Sequence, residues 1–515
     1  MHKAEKVFVF YCLLIVICIN LYCSSVGFSS ALMDFYAFRQ TQTAISAYYF
    51  LKEGFTLNYI TPVFGAPWSI PFEFPTYQLI IASFSSLTTI SLEAAGRLVS
   101  ITFFYVTLIY LYKILLLFFD KTLSVIPIIF LLVCPQYIYW SRTVMIESTA
   151  LFLCVSHFYY FLKLNKAISA WDLFFCILFG ILGSLTKITT YIVVMTPAGI
   201  YFIGKLIFDI RARNVNIKFW ISLISPVVIS FAAAICWTKY CDHLKDLNPL
   251  AQGFLTSSSL IEWNFGTLQQ RLSFANWQKI ATWTIQYGVG SPFILLLLPL
   301  FWGLVSKKNR LFVGLALCGF LSGPLIFFNL YYVHSYYHYS NIFFIIIALG
   351  VVIIAVAGDH KLSPIVTRSA VWCVMPLVTI IMLYGYISSN YFGAQNCKFR
   401  ISSQIACLRD NLQETDMFLI YDNDWSSELL YFLERKGIMN YRSFPLNHPQ
   451  MVRSLELTGK ESITAIMKKD FNLEFAEEVQ RTFGIRFLPV FPGIYVREDR
   501  YPEISAACPN TSDSQ

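Results

Sequence analysis

Residues 7–24, VFVFYCLLIVICINLYCS, form an apolar stretch without a charged side chain, and Lys3 and Lys6 precede it. A helix of this length covers most of the ~30 Å hydrocarbon core of a bilayer. The stretch therefore predicts a membrane-spanning helix. A cleaved signal peptide, with the two lysines as its basic region, is the other interpretation, although the apolar run is long for one.

The whole chain has the composition of a polytopic membrane protein. Of its 515 residues, 57% are hydrophobic and 13% are charged, and its mean hydropathy is +0.59. A soluble chain of this length could not cover its surface with so little charge. We predict an all-α membrane bundle of about eleven spans. The spans are 7–24, 98–118, 122–139, 147–163, 171–186, 188–208, 219–237, 285–305, 311–330, 342–357 and 370–388.

Lysine and arginine recur in alternate loops between these spans, as at Lys163 and Lys166 and at Lys307, Lys308 and Arg310. Basic loops face the cytoplasm. We expect a cytoplasmic N-terminus and, with an odd number of spans, a C-terminal domain in the periplasm or outside the cell. The net charge of +8 belongs to these loops, so we predict no nucleic-acid partner.

Residues 1–389 are predicted to form the transmembrane module, and residues 390–515 a soluble extracytoplasmic α/β domain, because the composition becomes polar near residue 390. The module has long outer loops at 26–97 and 238–284. In the first loop, 35–51 and 76–90 are predicted helices, the second lying at the interface. Strands are predicted at 418–421 and 489–496, with a helix at 426–436.

Cys397 and Cys407 lie in the predicted exported domain, where an oxidising compartment either joins them or leaves two free thiols. The segment Asn510-Thr511-Ser512 is a glycosylation sequon. No CxxC pair or His/Cys ligand spacing indicates a structural metal.

The polar segment MDFYAFRQTQTA, residues 33–44, begins the first outer loop. Asp34 and Arg39 are close enough in sequence to border one pocket, and a solvated or capping acid is the alternative for Asp34. Glu147, after Ser141-Arg142, begins the fourth span, where an acid suits a site or the helix N-terminus. Lys187 interrupts two spans on the outer side, which indicates phosphate binding or an interfacial lysine.

His334, Tyr337 and His338 mark the outer end of the ninth span, as ligands, hydrogen-bond donors or interfacial belt residues. All of these groups are expected at one membrane surface. Group transfer from a lipid phosphate fits them, because a carboxylate can deprotonate an acceptor hydroxyl while cations stabilise the departing phosphate. Such chemistry requires no divalent metal, and we predict no cofactor.

At these residues the chain resembles the GT-C superfamily of polyprenyl-phosphate-sugar-dependent glycosyltransferases. It resembles in particular the branch of dolichyl-phosphate-mannose protein mannosyltransferases and aminoarabinose transferases. The resemblance rests on the order and spacing of five short segments. These are Asp34 in the first outer loop, Glu73-Phe74-Pro75, Ala95-Gly96-Arg97-Leu98-Val99-Ser100, Ser141-Arg142 through Glu147, and Leu185-Thr186-Lys187.

The resemblance implies that Asp34 is the base of an inverting transfer and that Glu73 matches the acid of a Glu-Lys-Pro-like segment. It further implies that Arg39, Lys187 and Arg142 bind the lipid phosphate and that Glu147 supports the site. The chain departs from many relatives at Phe35, Phe74 and Glu147, where they carry an acid, a lysine and an aspartate. Because of these differences, the chain resembles the diverse bacterial members of the superfamily more than the protein mannosyltransferases or the aminoarabinose transferases.

The resemblance also implies the partners. They are a polyprenyl-phosphate-linked sugar donor, a glycan, lipid or protein acceptor on the outer face, and membrane lipid, all at a bacterial inner membrane. Two other classes stay open. A transporter or flippase of a lipid-linked or anionic substrate would place charges near the midplane. A polysaccharide polymerase or ligase would use Arg271 and His243 of the second outer loop.

Overall fold

The computed structural model describes residues 3–359, 361–397 and 399–508. The Asn510–Ser512 sequon lies outside the described residues. The chain folds into two compact units, each assembled from three separated segments. The first unit contains residues 1–28, 96–236 and 261–397, and the second contains 29–95, 237–260 and 398–515.

The first unit is helical. Its most apolar long helix is Ser335–Ala357. Of the 18-residue stretch that could cross a membrane, 94% is buried, so this helix lies at the centre of the unit. The helices that lie wholly or mainly in this unit are Lys3–Ser25, Leu92–Leu115, Ile126–Val133, Pro135–Trp140, Glu147–Lys166, Ala170–Thr186, Ile188–Arg211, Ile217–Asp246, Ile261–Phe265, Leu268–Leu272, Phe274–Trp283, Pro292–Leu295, Leu297–Trp302, Lys307–Ile326, Phe328–Val333, His338–Ala357, Pro364–Ser369, Met375–Ile387 and Asn390–Asn396.

Seven of the described helices are long and apolar enough to cross a membrane, or eight if a bent pair counts as one span. The chain is thus a multi-pass membrane protein, with fewer such helices than the eleven predicted. The seven are Lys3–Ser25, Leu92–Leu115, Ile188–Arg211, Ile217–Asp246, Lys307–Ile326, Ser335–Ala357 and Pro364–Ile387.

The other predicted spans are shorter, broken or less apolar. The predicted span 122–139 breaks at Cys134, because the residue before a proline is disfavoured in helical backbone. The predicted span 285–305 falls on two helices bent by 89°. Ala170–Thr186 has only 17 residues, and Glu147–Lys166 is long enough but less apolar. Since the parity of the span count decides the side of the C-terminal domain, that sidedness stays a prediction.

The second unit contains a small sheet flanked by helices. Its strands are β1 (Met417–Ile420), β2 (Gly437–Met439), β3 (Ile463–Met467), β4 (Phe487–Phe491) and β5 (Ile494–Arg497), in the order β2-β1-β3-β5-β4. β1 pairs in parallel with β2 and β3, whereas β5 is antiparallel to β3 and β4. Its helices are Ala37–Glu53, Thr76–Thr88, Ser403–Asn411, Glu428–Leu433, Pro449–Thr458, Leu473–Phe483 and Tyr501–Ala507.

A segment of the loop 26–97 pairs with this sheet. The backbone N–H of Met439 donates to the carbonyl of Val63 at 2.7 Å, and Gly65 donates to the carbonyl of Gly437 at 3.1 Å. The loop thereby extends the β2 edge and satisfies backbone groups that an edge strand otherwise leaves unpaired. The second unit therefore combines residues 29–95 and 237–260 with the C-terminal α/β fold.

The structure confirms the predicted fold class, and it corrects one strand. The predicted strand 489–496 is a hairpin, with β4 ending at Phe491 and β5 beginning at Ile494. Gly493, between the two strands, has a φ of 74°, which glycine adopts readily and a strand does not accommodate.

Cys407 forms a disulfide with Cys508, and Cys397 is exposed and free. The sequence analysis left open a Cys397–Cys407 bond or two free thiols, and both alternatives are wrong for Cys407. The correction has a packing reason, because helices Ser403–Asn411 and Tyr501–Ala507 bring the two bonded cysteines to a Cα–Cα distance of 5.9 Å.

We expect Cys508→Ser to destabilise the second unit. The bond joins residues 101 apart in sequence, and closing a loop of this length stabilises the fold by up to about 4.7 kcal/mol in the chain-entropy description. Thermal unfolding of the purified protein should therefore occur at a lower temperature. Cys397→Ser is the matched control and should leave the transition unchanged. Equal melting of wild type and Cys508→Ser would contradict the expectation.

Candidate active site

Asp34 lies just before the helix Ala37–Glu53, in the second unit. The turn between them includes Tyr36, whose φ of 56° falls in the left-handed region that non-glycine residues rarely adopt. The side chain of Gln40 donates to Asp34 Oδ1 at 2.5 Å and to the carbonyl of Phe35 at 3.1 Å. Gln40 therefore holds both the carboxylate and the turn that presents it.

Arg39 and Glu73 form a largely buried ion pair in the same unit. Arg39 Nη2 lies 2.8 Å from Glu73 Oε2, and the two side chains are 19% and 9% exposed. Gln78 donates to the other carboxylate oxygen at 2.8 Å. The Tyr59 hydroxyl donates to the Glu73 carbonyl at 3.0 Å and accepts from the N–H of Phe72 at 2.8 Å. The acid is therefore fixed through its side chain and its backbone.

Burial by itself would raise the pKa of Glu73. The Arg39 guanidinium and the hydrogen bonds to Glu73 outweigh that effect, so the pKa of this carboxyl is lowered from its usual range. The carboxylate therefore stays ionised at neutral pH and keeps Arg39 oriented.

We expect the Arg39–Glu73 pair to make stability depend on acid pH. A carboxyl whose pKa is lowered on folding contributes stability above its unfolded pKa, about 4.3, and that contribution is lost as the pH falls through the folded pKa. The melting temperature of the wild type should decrease more steeply below about pH 5 than that of Glu73→Gln. The exposed Glu456→Gln is the control and should keep the wild-type slope. Identical pH profiles for wild type and Glu73→Gln would contradict the expectation.

Lys245 is a further cation near this cluster that the sequence analysis missed. Its side chain is buried, its Nζ donates to the carbonyl of Leu255 at 3.0 Å, and it lies 4.7 Å from the ring centroid of Phe72, the neighbour of Glu73. A lysine just beyond a predicted span is typical of the interface, so its sequence position gave little signal.

Glu147 and Lys187 form a second ion pair, in the first unit. Lys187 Nζ lies 2.6 Å and 2.5 Å from the two carboxylate oxygens, and both side chains are buried. Lys187 has an extended backbone between two helices, and its ammonium lies over the rings of Tyr337 and Tyr336, at 4.1 Å and 5.2 Å from their centroids. The predicted phosphate cation is thus already held by a carboxylate and two aromatic faces.

Arg142 is buried in the first unit, and its Nε donates to the carbonyl of Ser24 at 3.2 Å. Arg97, also buried, donates to the carbonyl of Phe28 at 2.7 Å. Carbonyls at a helix C-terminus lack helical partners, and a cation there is favourable. The two arginines therefore secure the end of the helix Lys3–Ser25 and the turn after it.

The two predicted histidines differ in their surroundings. The His334 ring stacks on Tyr336 at 5.1 Å and lies 6.1 Å from Tyr337, so it belongs to the aromatic group around Lys187. His338 is buried, and its Nε2 bonds the carbonyl of Tyr331 at 3.1 Å, which makes it a packed residue within its helix.

The structure thus gathers the predicted residues into two groups. The first group is Asp34, Arg39 and Glu73, which all lie in the second unit, with Gln40 bound to Asp34 and Arg39 paired with Glu73. The other group, in the first unit, is Glu147, Lys187, Tyr337 and His334, with Arg142 and His338 making separate backbone contacts. Among the described residues, no three His, Cys, Asp or Glu side chains form a group that could hold a metal ion.

Residues 71–237 match the sequence model of a family described as dolichyl-phosphate-mannose-protein mannosyltransferase. The fold is similar to ArnT from Cupriavidus metallidurans bound to undecaprenyl phosphate, with a TM-score of 0.59 and 11% sequence identity. That similarity covers 94% of this chain and 97% of the ArnT chain.

The fold is also similar to the archaeal oligosaccharyltransferase AglB from Archaeoglobus fulgidus, in complex with an inhibitory peptide and a dolichol-phosphate. The TM-score is 0.52 at 12% identity, over 90% of this chain and 70% of that chain. No curated protein sequence matches the chain at a significant level.

Proposed function

We propose that this chain, which has the GT-C fold and resembles the protein mannosyltransferase and aminoarabinose transferase branch, is a glycosyltransferase. It transfers a sugar from a polyprenyl-phosphate donor to an acceptor hydroxyl. The observation that carries the proposal is the grouping of Asp34, Arg39 and Glu73 within one compact unit. Asp34 lies just before the helix Ala37–Glu53 and Arg39 lies in its first turn. A carboxylate and a fixed guanidinium at one helix end suit a reaction in which a proton leaves one group and negative charge develops on another.

Asp34 removes the proton from the acceptor hydroxyl as its oxygen bonds to the anomeric carbon. The bond from that carbon to the phosphate oxygen breaks, its electron pair stays on the phosphate, and polyprenyl phosphate departs from the opposite face. The anomeric configuration is therefore inverted. Asp34 is held by Gln40, so its carboxylate need not reorganise during the step.

Arg39 stabilises the charge on the departing phosphate. Its pairing with Glu73 and its hydrogen bond to Gln42 fix its direction, and its side chain is 19% exposed. A guanidinium carries five N–H donors in a planar fork, which matches phosphate oxygens geometrically. Phosphate binding by Arg142, Lys187, His334, Tyr337 and His338, and a supporting role for Glu147, stay predictions.

The polymerase or ligase alternative depends on Arg271 and His243, and the structure bears on the first. Its guanidinium donates to the carbonyls of Leu325, Phe265 and Ile326 at 2.6, 2.5 and 2.9 Å. Such contacts hold backbone together, so Arg271 has a structural use that does not favour this alternative.

The test is a transfer assay with the full chain in proteoliposomes. Radiolabelled polyprenyl-phosphate sugars are supplied together with candidate glycan, lipid and protein acceptors, and label in the acceptor fraction is measured. We expect transfer from the monophosphate donor, with inverted anomeric configuration in the product. Transfer only from a polyprenyl-diphosphate or nucleotide sugar, or a product that retains configuration, would overturn the proposal.

A further inference from the structure

The loop Tyr421–Ser427 follows β1 at the carboxyl end of the parallel strands. β2 and β3 lie on opposite sides of β1, so the chain leaves β1 toward one side and later returns to the other. In open α/β sheets, this reversal creates a crevice at the carboxyl ends of the strands where ligands bind. The loop therefore occupies the position in the sheet at which a ligand site is expected.

The same loop contacts the surroundings of the Asp34 group within the second unit. The ring of Trp425 lies 4.7 Å from that of Phe38, the neighbour of Arg39, and 5.7 Å from that of Phe72, the neighbour of Glu73. The Ser427 hydroxyl lies 3.1 Å from that of Thr41, two residues after Arg39. The loop of the α/β fold thus borders the candidate active site.

The exposed groups of this loop suit a carbohydrate. Trp425 is half-buried. Besides Phe38 and Phe72, its ring lies 6.1 Å from that of Phe64 and 6.4 Å from that of Phe254. Asp422 and Asp424 are exposed. Both aspartates have left-handed backbone, with φ of 59° and 46°, and Lys468 Nζ lies 3.8 Å from Asp422. The C–H face of a pyranose ring packs on an aromatic side chain, while its hydroxyls donate to carboxylate oxygens.

We propose that Trp425 and Asp424, with Asp422, form the acceptor subsite and that the acceptor is a sugar residue. Trp425 provides the surface on which the acceptor ring packs, and the aspartates bind its hydroxyls. The acceptor hydroxyl that reacts is thereby directed to Asp34. This inference rests on the proposed function, which it deepens by naming the acceptor class.

Binding is tested without turnover by saturation-transfer-difference NMR of the full chain in detergent. The probes are methyl α-mannoside, methyl β-glucoside and N-acetylglucosamine. We expect saturation transfer to at least one sugar with wild type and Asp34→Asn, and its loss with Trp425→Ala. Trp425→Phe should retain the signal, and Trp171→Ala, an exposed tryptophan elsewhere, is the matched control. Absence of a wild-type signal for all three sugars, or an equal signal with Trp425→Ala, would overturn the subsite.

A kinetic measurement separates this proposal from the proposed function. With an active donor and a sugar acceptor, Trp425→Ala should raise the acceptor KM by about tenfold and leave the donor KM within about twofold. If Trp425→Phe preserves the acceptor KM, the loss in Trp425→Ala reflects the aromatic ring and not misfolding. If no donor supports transfer in wild type, the proposed function fails while the NMR result still decides the sugar subsite. A lipid or peptide acceptor whose KM is unchanged by Trp425→Ala would overturn the sugar assignment.

Discussion

Asp34→Asn is expected to lower kcat for sugar transfer by about 10²–10⁴-fold, the usual contribution of a general base. The substitution removes the basic oxygen while preserving the size and planarity of the side chain. The replacement side chain would still offer a carbonyl oxygen to the Gln40 amide, which donates to Asp34 at 2.5 Å. The turn should therefore keep its conformation, and the donor KM should remain close to that of wild type. Initial rates in proteoliposomes with radiolabelled polyprenyl-phosphate sugar measure both constants.

Asp499→Asn is the matched control for the change of charge. Asp499 lies in the same unit, is 50% exposed and pairs with Arg497, so its replacement should leave transfer unchanged. Labelled sugar that crosses the bilayer without joining any acceptor, at a rate equal in wild type and Asp34→Asn, would favour the transporter alternative instead.

Glu147→Gln is expected to reduce the free energy of unfolding by about 3–5 kcal/mol. The substitution leaves the Lys187 ammonium, whose side chain is 9% exposed, without the carboxylate that binds it at 2.6 and 2.5 Å. A buried charge that loses its partner keeps its full desolvation cost, and two tyrosine rings compensate only part of it. Thermal unfolding in detergent should show a clear decrease in melting temperature.

Two further variants distinguish the loss of the Glu147–Lys187 ion pair from a general effect of substitution on stability. Glu147→Gln/Lys187→Met removes both charges and should recover most of the lost stability. The control Asp172→Asn breaks the Lys163–Asp172 pair, which has a similar distance of 2.6 Å but a lysine 38% exposed, so it should cost less than about 1 kcal/mol. Equal losses for Glu147→Gln and Asp172→Asn would contradict a special role of burial.

The first group of candidate residues was largely predictable from sequence. Asp34 and Arg39 are five residues apart on either side of a helix start, so the sequence alone places both at one end of that helix. Glu73 was a candidate only through the resemblance to a family, and its pairing with Arg39, 34 residues away, followed only from the tertiary structure. The sequence did not indicate the roles of Gln40, Gln78 and Tyr59, because their hydrogen bonds depend on how the loop folds back.

The fold class followed from the sequence because hydropathy and charge are local averages, and an apolar segment long enough to cross a bilayer has few other stable environments. Contacts between distant residues followed only from the tertiary structure. The bond of Cys407 to Cys508, the pairing of Glu147 with Lys187 and the approach of Trp425 to Phe38 join residues 101, 40 and 387 positions apart. Such contacts depend on how whole helices and strands pack. The packing decides which of several chemically equivalent side chains comes within bonding distance. The break of the predicted span at Cys134 has a local cause instead, because Pro135 disfavours helical backbone at the residue before it.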